Sequence, residues 1–330
     1  MKIGGANPAY YTRKGGAYIG DSREFLAALP DGSVNLVMTS PPFALQRQKE
    51  YGNIDQHEYI DWFLEFAKIA YRKLTDDGSF VVDFGGAYVK GAPARSLYNF
   101  RVLVRMVDEV GFFLAEDFYW FNPSKLPSPI EWVNKRKMRV KDSVNTVWWF
   151  SKTEWPKADV TKVLAPYSER MKKLIEDPDK FYTPMVRPSG HDIGKGFAKD
   201  NGGAIPSNLL QIPNSESNGT YLSGCKTVGV KAHPARYPAK LPEFFIRMLT
   251  DPGDLVVDIF GGSNTTGQVA EADGRRWMSF EVLPEYVGAS VFRFLDKGAA
   301  PDLMRDIYER ICAGESVCIE DVRAQIELAL

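Results

Sequence analysis

Leu255-Val256-Val257-Asp258-Ile259-Phe260-Gly261-Gly262-Ser263-Asn264-Thr265-Thr266-Gly267 is the stretch on which the fold turns. Residues 255–260 (LVVDIF) form an almost continuous apolar run, the signature of a parallel strand buried on both faces. Gly261-Gly262 lets the backbone approach a ligand closely. A helix over 265–273 then offers free N–H groups at its N-terminus. Read as G-x-G-x-x-G, Gly262 and Gly267 keep the outer positions and Asn264 replaces the central glycine. Asparagine tolerates positive φ better than most residues, so the turn survives the replacement. Glu281, closing the next strand (277–280), is placed to bond ribose hydroxyls. The arrangement is Rossmann-type adenosine machinery. The competing reading is a glycine turn that binds nothing.

Outward from this stretch, strands are expected at 16–20, 33–39, 79–84, 112–121 and 145–150, and helices at 57–74, 99–110, 241–249, 284–296 and 301–313. Asp76-Asp77-Gly78 reads as a turn. Alternating strands and helices imply an α/β fold with a mainly parallel sheet. Ser40-Pro41-Pro42 ends the 33–39 strand, because proline cannot continue a central strand. The corner Thr39 to Phe43 (TSPPF) is stiff. It presents a hydroxyl, carbonyls and an aromatic ring at one point, as a planar amine-bearing ring requires. If strands 33–39 and 255–260 are neighbours, both loops meet beyond their carboxyl ends, where open α/β sheets bind ligands.

The chain has 330 residues with 44% hydrophobic and 25% charged side chains, an ordinary globular composition. No stretch is long and apolar enough to span a membrane. The first twenty residues lack an apolar core and cleavage site, so no secretory leader is expected. Three cysteines and three dispersed histidines give neither a disulfide framework nor a metal-ligand pattern. They fit a reducing, intracellular setting. Net charge is −1, but residues 121–240 hold 20 Lys/Arg against 11 Asp/Glu. Its densest cluster is Lys135-Arg136-Lys137 with Arg139, among tryptophans. Such a segment suits a phosphate-bearing partner, although a solvated surface gives the same count. Residues 151–229 are rich in Pro, Gly, Ser and Asn, as in a loop-rich binding insert.

The pairing of an early Ser-Pro-Pro-Phe with a late Asp-x-Phe-x-Gly-Ser-x-Thr-Thr resembles the amino-methyltransferases of DNA, and the order of the two motifs resembles their β class. The segments TSPPFALQRQKEYGN (39–53), FNPSKLPSPIEWVNKRK (121–137) and KAHPARYPAKLPEFFIRML (231–249) extend the resemblance, to cytosine-N4-specific members, over nearly the whole chain. The resemblance implies a Rossmann-like S-adenosyl-L-methionine-dependent methyltransferase sheet, mostly parallel with one antiparallel strand. It implies a catalytic domain in two parts (1–150 and 230–330) around a target-recognition region (151–229). It implies methyl transfer to the exocyclic N4 of a flipped cytosine in duplex DNA, within CAGCTG. The setting would be a bacterial cytoplasm and a restriction-modification system. The enzyme would act as a monomer, and the cognate endonuclease would share the target without needing to bind.

Carried over by residue, Asp258, Phe260, Gly261, Gly262, Ser263, Thr265 and Thr266 would hold the methionine end of the cofactor. Glu281 would take the ribose, Asp21 would approach the adenine, and Lys240 would add a contact. Ser40 and the Pro41 carbonyl would accept amine hydrogens, Pro42 would stiffen the corner, and Phe43 would stack on the base. Asp83 is either a proton acceptor or a structural carboxylate bonding loop amides. Lys135, Arg136, Lys137 and Arg139 would meet DNA.

Four other readings compete. Cytosine-C5 methylation needs a cysteine nucleophile, normally after proline; Gly224, Ile311 and Val317 precede the three cysteines here. Adenine-N6 methylation uses the same chemistry, more often with Asp where Ser40 stands. A dinucleotide-dependent oxidoreductase leaves TSPPF unexplained. A non-catalytic DNA-binding module leaves the glycine loop unexplained.

Overall fold

The computed structural model describes residues 2–43, 58–89, 91–181, 188, 198–215, 219–296 and 298–329. Residues 44–57, which include much of the 39–53 segment and His57, lie outside them. Ten strands form one sheet: β1 (Tyr10–Tyr11), β2 (Gly15–Ile19), β3 (Val34–Thr39), β4 (Leu74–Phe84), β5 (Phe113–Phe121), β6 (Val144–Ser151), β7 (Leu209–Gln211), β8 (Leu255–Asp258), β9 (Arg276–Glu281) and β10 (Val317–Cys318). Their order is β10-β1-β2-β9-β8-β3-β4-β6-β5-β7.

The central pairs β2·β9, β9·β8, β8·β3 and β3·β4 are all parallel. β6 is the antiparallel strand of the main body, inserted between β4 and β5. The two-residue strands β1 and β10 also run against the sheet direction; two residues carry no readable periodicity. Asp76-Asp77-Gly78 does not separate helix from strand as expected. It lies within β4 as an irregularity, where β3 pairing jumps from Val34↔Leu74 to Leu36↔Ser79.

The helices are α1 (Ser22–Ala28), α2 (Tyr59–Lys73), α3 (Tyr98–Arg105), α4 (Glu169–Glu176), α5 (Pro178–Phe181), α6 (Gly219–Val228), α7 (Lys240–Leu249), α8 (Thr265–Ala272), α9 (Pro284–Ser290), α10 (Pro301–Cys312) and α11 (Ile319–Ala329). α2 shows why its segment is helical. Tyr59, Phe63, Phe66, Ala67 and Ala70 recur at three- and four-residue spacing and pack in one core with Val37, Phe80, Val82 and Phe84. β4 is buried without a break from Gly78 to Phe84, so both of its faces are covered.

The chain divides into two compact units, one of residues 1–158 and 208–330 and a second, Asp159–Ser207. The second contains α4, α5 and an antiparallel bridge between Ala165 and Ala204. This division is narrower than the expected 151–229 region: β6 runs through Ser151, and β7 and α6 belong to the larger unit. No described helix is long and apolar enough to cross a membrane.

Candidate active site

β3 and β8 are adjacent, with Leu36 and Val37 opposite Val256 and Val257. This brings TSPPF and the glycine loop to one place. The strand ends are tied directly: the Thr39 hydroxyl donates to Asp258 Oδ1 at 2.7 Å. Asp258 also accepts from the Phe260 amide at 3.1 Å, Thr266 Oγ1 at 2.6 Å and the Tyr237 hydroxyl at 3.1 Å. Burial pushes its carboxyl above the ordinary range, and these donors oppose the push. Asp258 thus stitches β3, the glycine loop and the 233–237 segment together.

The glycine loop is shaped by close packing. A Cβ on Gly261 would lie 2.0 Å from Ser279 Oγ, and Gly262 adopts φ +50°. Asn264 takes φ +53°, and its side chain caps α8 by accepting from the Gly267 amide at 3.1 Å. Its amide nitrogen donates to the Tyr10 hydroxyl at 2.8 Å. The residue that departs from the glycine pattern therefore holds the left-handed turn and faces the protein. Gly267 is required for packing, because a Cβ there would stand 2.3 Å from Asn264 Oδ1.

Glu281, at the end of β9, accepts from the Gly262 amide and the Leu283 amide, each at 3.0 Å. Burial raises its carboxyl pKa. Asp21 caps α1 through the Arg23 amide at 2.8 Å and pairs with the Arg23 guanidinium at 2.6 Å. Those hydrogen bonds from Arg23 lower its pKa.

A cavity of about 610 Å³ lies over the carboxyl ends of these strands. Asp21, Ser40, Pro41, Pro42, Phe43, Asp83, Phe260, Gly261, Gly262, Ser263, Thr265 and Glu281 all line it. Three expected contacts do not. Asp258 and Thr266 are buried behind the wall, bonded to each other, and Lys240 is exposed in the first turn of α7. Sequence motif alone does not separate a residue that forms a loop from one that faces its ligand.

Ser40 Oγ donates to Asp83 Oδ2 at 3.0 Å, and Asn145 Nδ2 donates to Asp83 Oδ1 at 2.9 Å. Asp83 is almost fully buried. Burial pushes its pKa from 3.8 up to about 6, against the lowering effect of these two bonds. Phe43 packs over Gly85, where a Cβ would lie 2.3 Å from the ring. Phe260 meets Trp62 and Phe66 at ring distances of 5.5 and 4.9 Å, giving an apolar wall beside the glycine loop.

Sequence reasoning missed Tyr59, Asn122, Lys125, Asn145, Asn214 and the 233–237 loop, which also line the cavity. The 121–137 and 231–249 segments stand out in the sequence, but nothing in them marks individual side chains. Tyr59 Oη and Asn214 Oδ1 are buried with no hydrogen-bond partner among the described residues. Buried polar atoms without partners are costly, so their presence in a cavity wall fits a ligand bearing donors and acceptors. Two acidic groups, an aromatic wall and amides at the start of α8 suit an adenosine bearing an amino-acid tail.

Lys135, Arg136, Lys137 and Arg139 are exposed on the 122–143 loop, which joins the carboxyl end of β5 to β6. That loop leaves the same edge of the sheet as the cavity loops. Arg136 pairs with Glu131 at 2.9 Å and lies over the Trp132 ring, and Lys135 reaches Glu131 at 3.3 Å. Arg139 bonds the Pro93 carbonyl at 3.2 Å.

Sheet and cavity together define a Rossmann-like α/β protein whose diproline corner and glycine loop line one cavity. Residues 34–292 match the DNA methylase family, and the chain belongs to that family. It is 75% identical over 318 residues to the type II methyltransferase M.PvuII of Proteus hauseri, spanning 96% of this chain and 95% of the relative. The solved PvuII DNA methyltransferase (cytosine-N4-specific) superposes with a TM-score of 0.80 at 64% identity, covering 96% of this chain and 99% of that one. A Thermus thermophilus protein described as a DNA modification methylase, solved with S-adenosyl-L-methionine, shares the fold. Its TM-score is 0.51 at 20% identity, with coverage of 92% and 96%.

Proposed function

We propose that this chain methylates the N4 of cytosine within CAGCTG in duplex DNA, as a monomer in a bacterial cytoplasm, shielding those sites from a nuclease that cuts the same sequence. The chain is a cytosine-N4 DNA methyltransferase that uses S-adenosyl-L-methionine. Similarity to M.PvuII at 75% identity supports the finer target. The observation that carries the chemistry is the Ser40–Asp83 hydrogen bond at 3.0 Å, facing the cavity that the glycine loop shares.

The side chains then have distinct tasks. Amides near Gly262 and the α8 N-terminus meet the amino-acid tail, Glu281 the ribose and Asp21 the adenine edge. When bound, S-adenosyl-L-methionine would supply a sulfonium methyl, its S–methyl bond breaking as the new N–C bond forms so that sulfur leaves as the neutral thioether. The amine lone pair of cytosine is delocalised into its ring, so it is a poor nucleophile. Ser40 donates its own hydrogen to Asp83, which leaves its oxygen lone pairs for an amine N–H. The Pro41 carbonyl takes the other. Both acceptors favour a more tetrahedral, nucleophilic nitrogen. Phe43 stacks on the ring and sets the in-line approach, so positioning and electrostatics supply most of the rate. As the N–C bond forms, the amine proton passes through the Ser40 hydroxyl to Asp83, whose pKa near 6 leaves it ionised at neutral pH.

The target amine is paired and stacked in the duplex, so the base must be everted. Phosphate contacts by Lys135, Arg136, Lys137 and Arg139 help offset that cost. Residues 1–150 and 230–330 form the catalytic parts, and base reading lies within 151–229. Transfer of labelled methyl to a CAGCTG duplex tests this reading. N4-methylcytosine is expected after nucleoside digestion, and a duplex with the hexamer scrambled should stay unlabelled. N6-methyladenine as the sole product, or equal labelling of both duplexes, would overturn it.

A further inference from the structure

From Ser40 a polar chain runs along the cavity wall. Ser40 bonds Asp83, Asp83 accepts from Asn145, and Asn145 Oδ1 accepts from Lys125 Nζ at 3.5 Å. Lys125 lines the cavity and is only partly exposed. Among the described residues no carboxylate lies within ion-pair distance of it. The loop that carries it is fixed. The Lys125 amide bonds the Asn122 carbonyl at 3.2 Å, the Ser124 amide bonds Asn122 Oδ1 at 3.0 Å, and Lys141 Nζ holds the Pro123 and Lys125 carbonyls at 3.1 and 3.4 Å. The positive charge of Lys125 favours the ionised form of Asp83, and beyond the hydrogen bond to Asn145 its ammonium keeps donors for whatever occupies the cavity.

Resting on the cytosine-N4 reading, we propose that Lys125 is a specificity-determining residue that donates a hydrogen bond to O2 of the everted cytosine. Along its pairing edge cytosine offers an amine, the N3 acceptor and the O2 acceptor. Adenine offers an amine and the N1 acceptor, with only a C–H at the third position. Ser40 fixes the amine end. Lys125 is three hydrogen bonds along the chain from Ser40, on the same cavity wall. A charged donor there rewards cytosine and leaves adenine with a desolvated ammonium that it cannot bond. Sites built to bond a substrate group reject analogues that lack it. This accounts for discrimination between two bases whose amines undergo the same reaction.

The test compares Lys125→Met and Lys125→Arg with the parent on two duplexes. They differ only in the target base, cytosine or adenine, each placed opposite an abasic site so that eversion costs the same. Lys125→Met should lower kcat/KM for cytosine about tenfold to a hundredfold and leave the adenine value unchanged or raise it, so that the preference collapses. Lys125→Arg should retain part of it. Equal losses on both bases, or no loss on cytosine, would overturn the proposal. Binding of S-adenosyl-L-methionine and the unfolding midpoint, unchanged in both variants, separate this effect from misfolding. Failure of the parent to methylate cytosine at all would instead contradict the functional reading.

Discussion

Asp83→Asn should lose turnover and yet gain stability relative to the parent as the pH rises. The parent carboxyl titrates near 3.8 in the unfolded chain and about 6 in the fold, because burial disfavours its charge. At about 1.4 kcal/mol per pH unit, the ionised group costs the native state about 3 kcal/mol at pH 8. Between the two values the native state binds more protons than the unfolded chain. Parent stability therefore falls as the pH rises from about 4 to about 6 and then levels off. About half of the cost is still absent at pH 5. Asparagine cannot ionise and lacks this dependence. It has one acceptor oxygen for the two donors, Asn145 and Ser40, and the displaced bond costs about 1–3 kcal/mol at every pH. The gap between variant and parent should thus shift in favour of the variant by about 1–2 kcal/mol between pH 5 and pH 8, read from urea unfolding. Turnover should fall at least about 100-fold, and the parent's kcat/KM should decline below pH about 6. A stability gap independent of pH, or a variant with full turnover, would refute the account of Asp83.

Three further outcomes are expected. Thr39→Val removes a donor from buried Asp258, so it should lower stability by about 1–3 kcal/mol and weaken cofactor binding through the shared wall, measured by unfolding and calorimetry. Gly267→Ala would press a methyl group to 2.3 Å from Asn264 Oδ1; the overpacking should cost at least about 1–3 kcal/mol and show as a lower Tm. Replacing Lys135 and Arg136 together with alanine should weaken binding to all DNA sequences alike and reduce the salt dependence of log K by about two, seen in titrations at several ionic strengths.

How much the sequence disclosed depends on the range over which each signal acts. The apolar run at 255–258, the proline stop after Thr39 and the helical stripe from Tyr59 are local, and the structure places β8, the end of β3 and α2 on them. The TSPPF and glycine corners were legible as motifs, and their meeting followed from the rules of open sheets. What stayed hidden depends on contacts between distant residues. Asp258 reads as a ligand contact until Thr39, Tyr237 and Thr266 are seen to occupy its oxygens. Asn145 reaches Asp83 only through the antiparallel pairing of β4 with β6, and Lys125 reaches Asn145 only from the loop that joins β5 to β6. Residues 219–228 fall within the expected loop-rich 151–229 region, yet they form helix α6, in which Tyr221 and Cys225 are buried at sites that no local pattern announces.

A crystal structure with a non-transferring sulfonium analogue and a duplex whose target cytosine is everted puts the shared cavity to its most direct test. The cytosine amine should lie within hydrogen-bond distance of Ser40 Oγ and in line with the donor group above Gly262. Base and analogue bound at separate places, or an amine that Ser40 does not touch, would contradict the account.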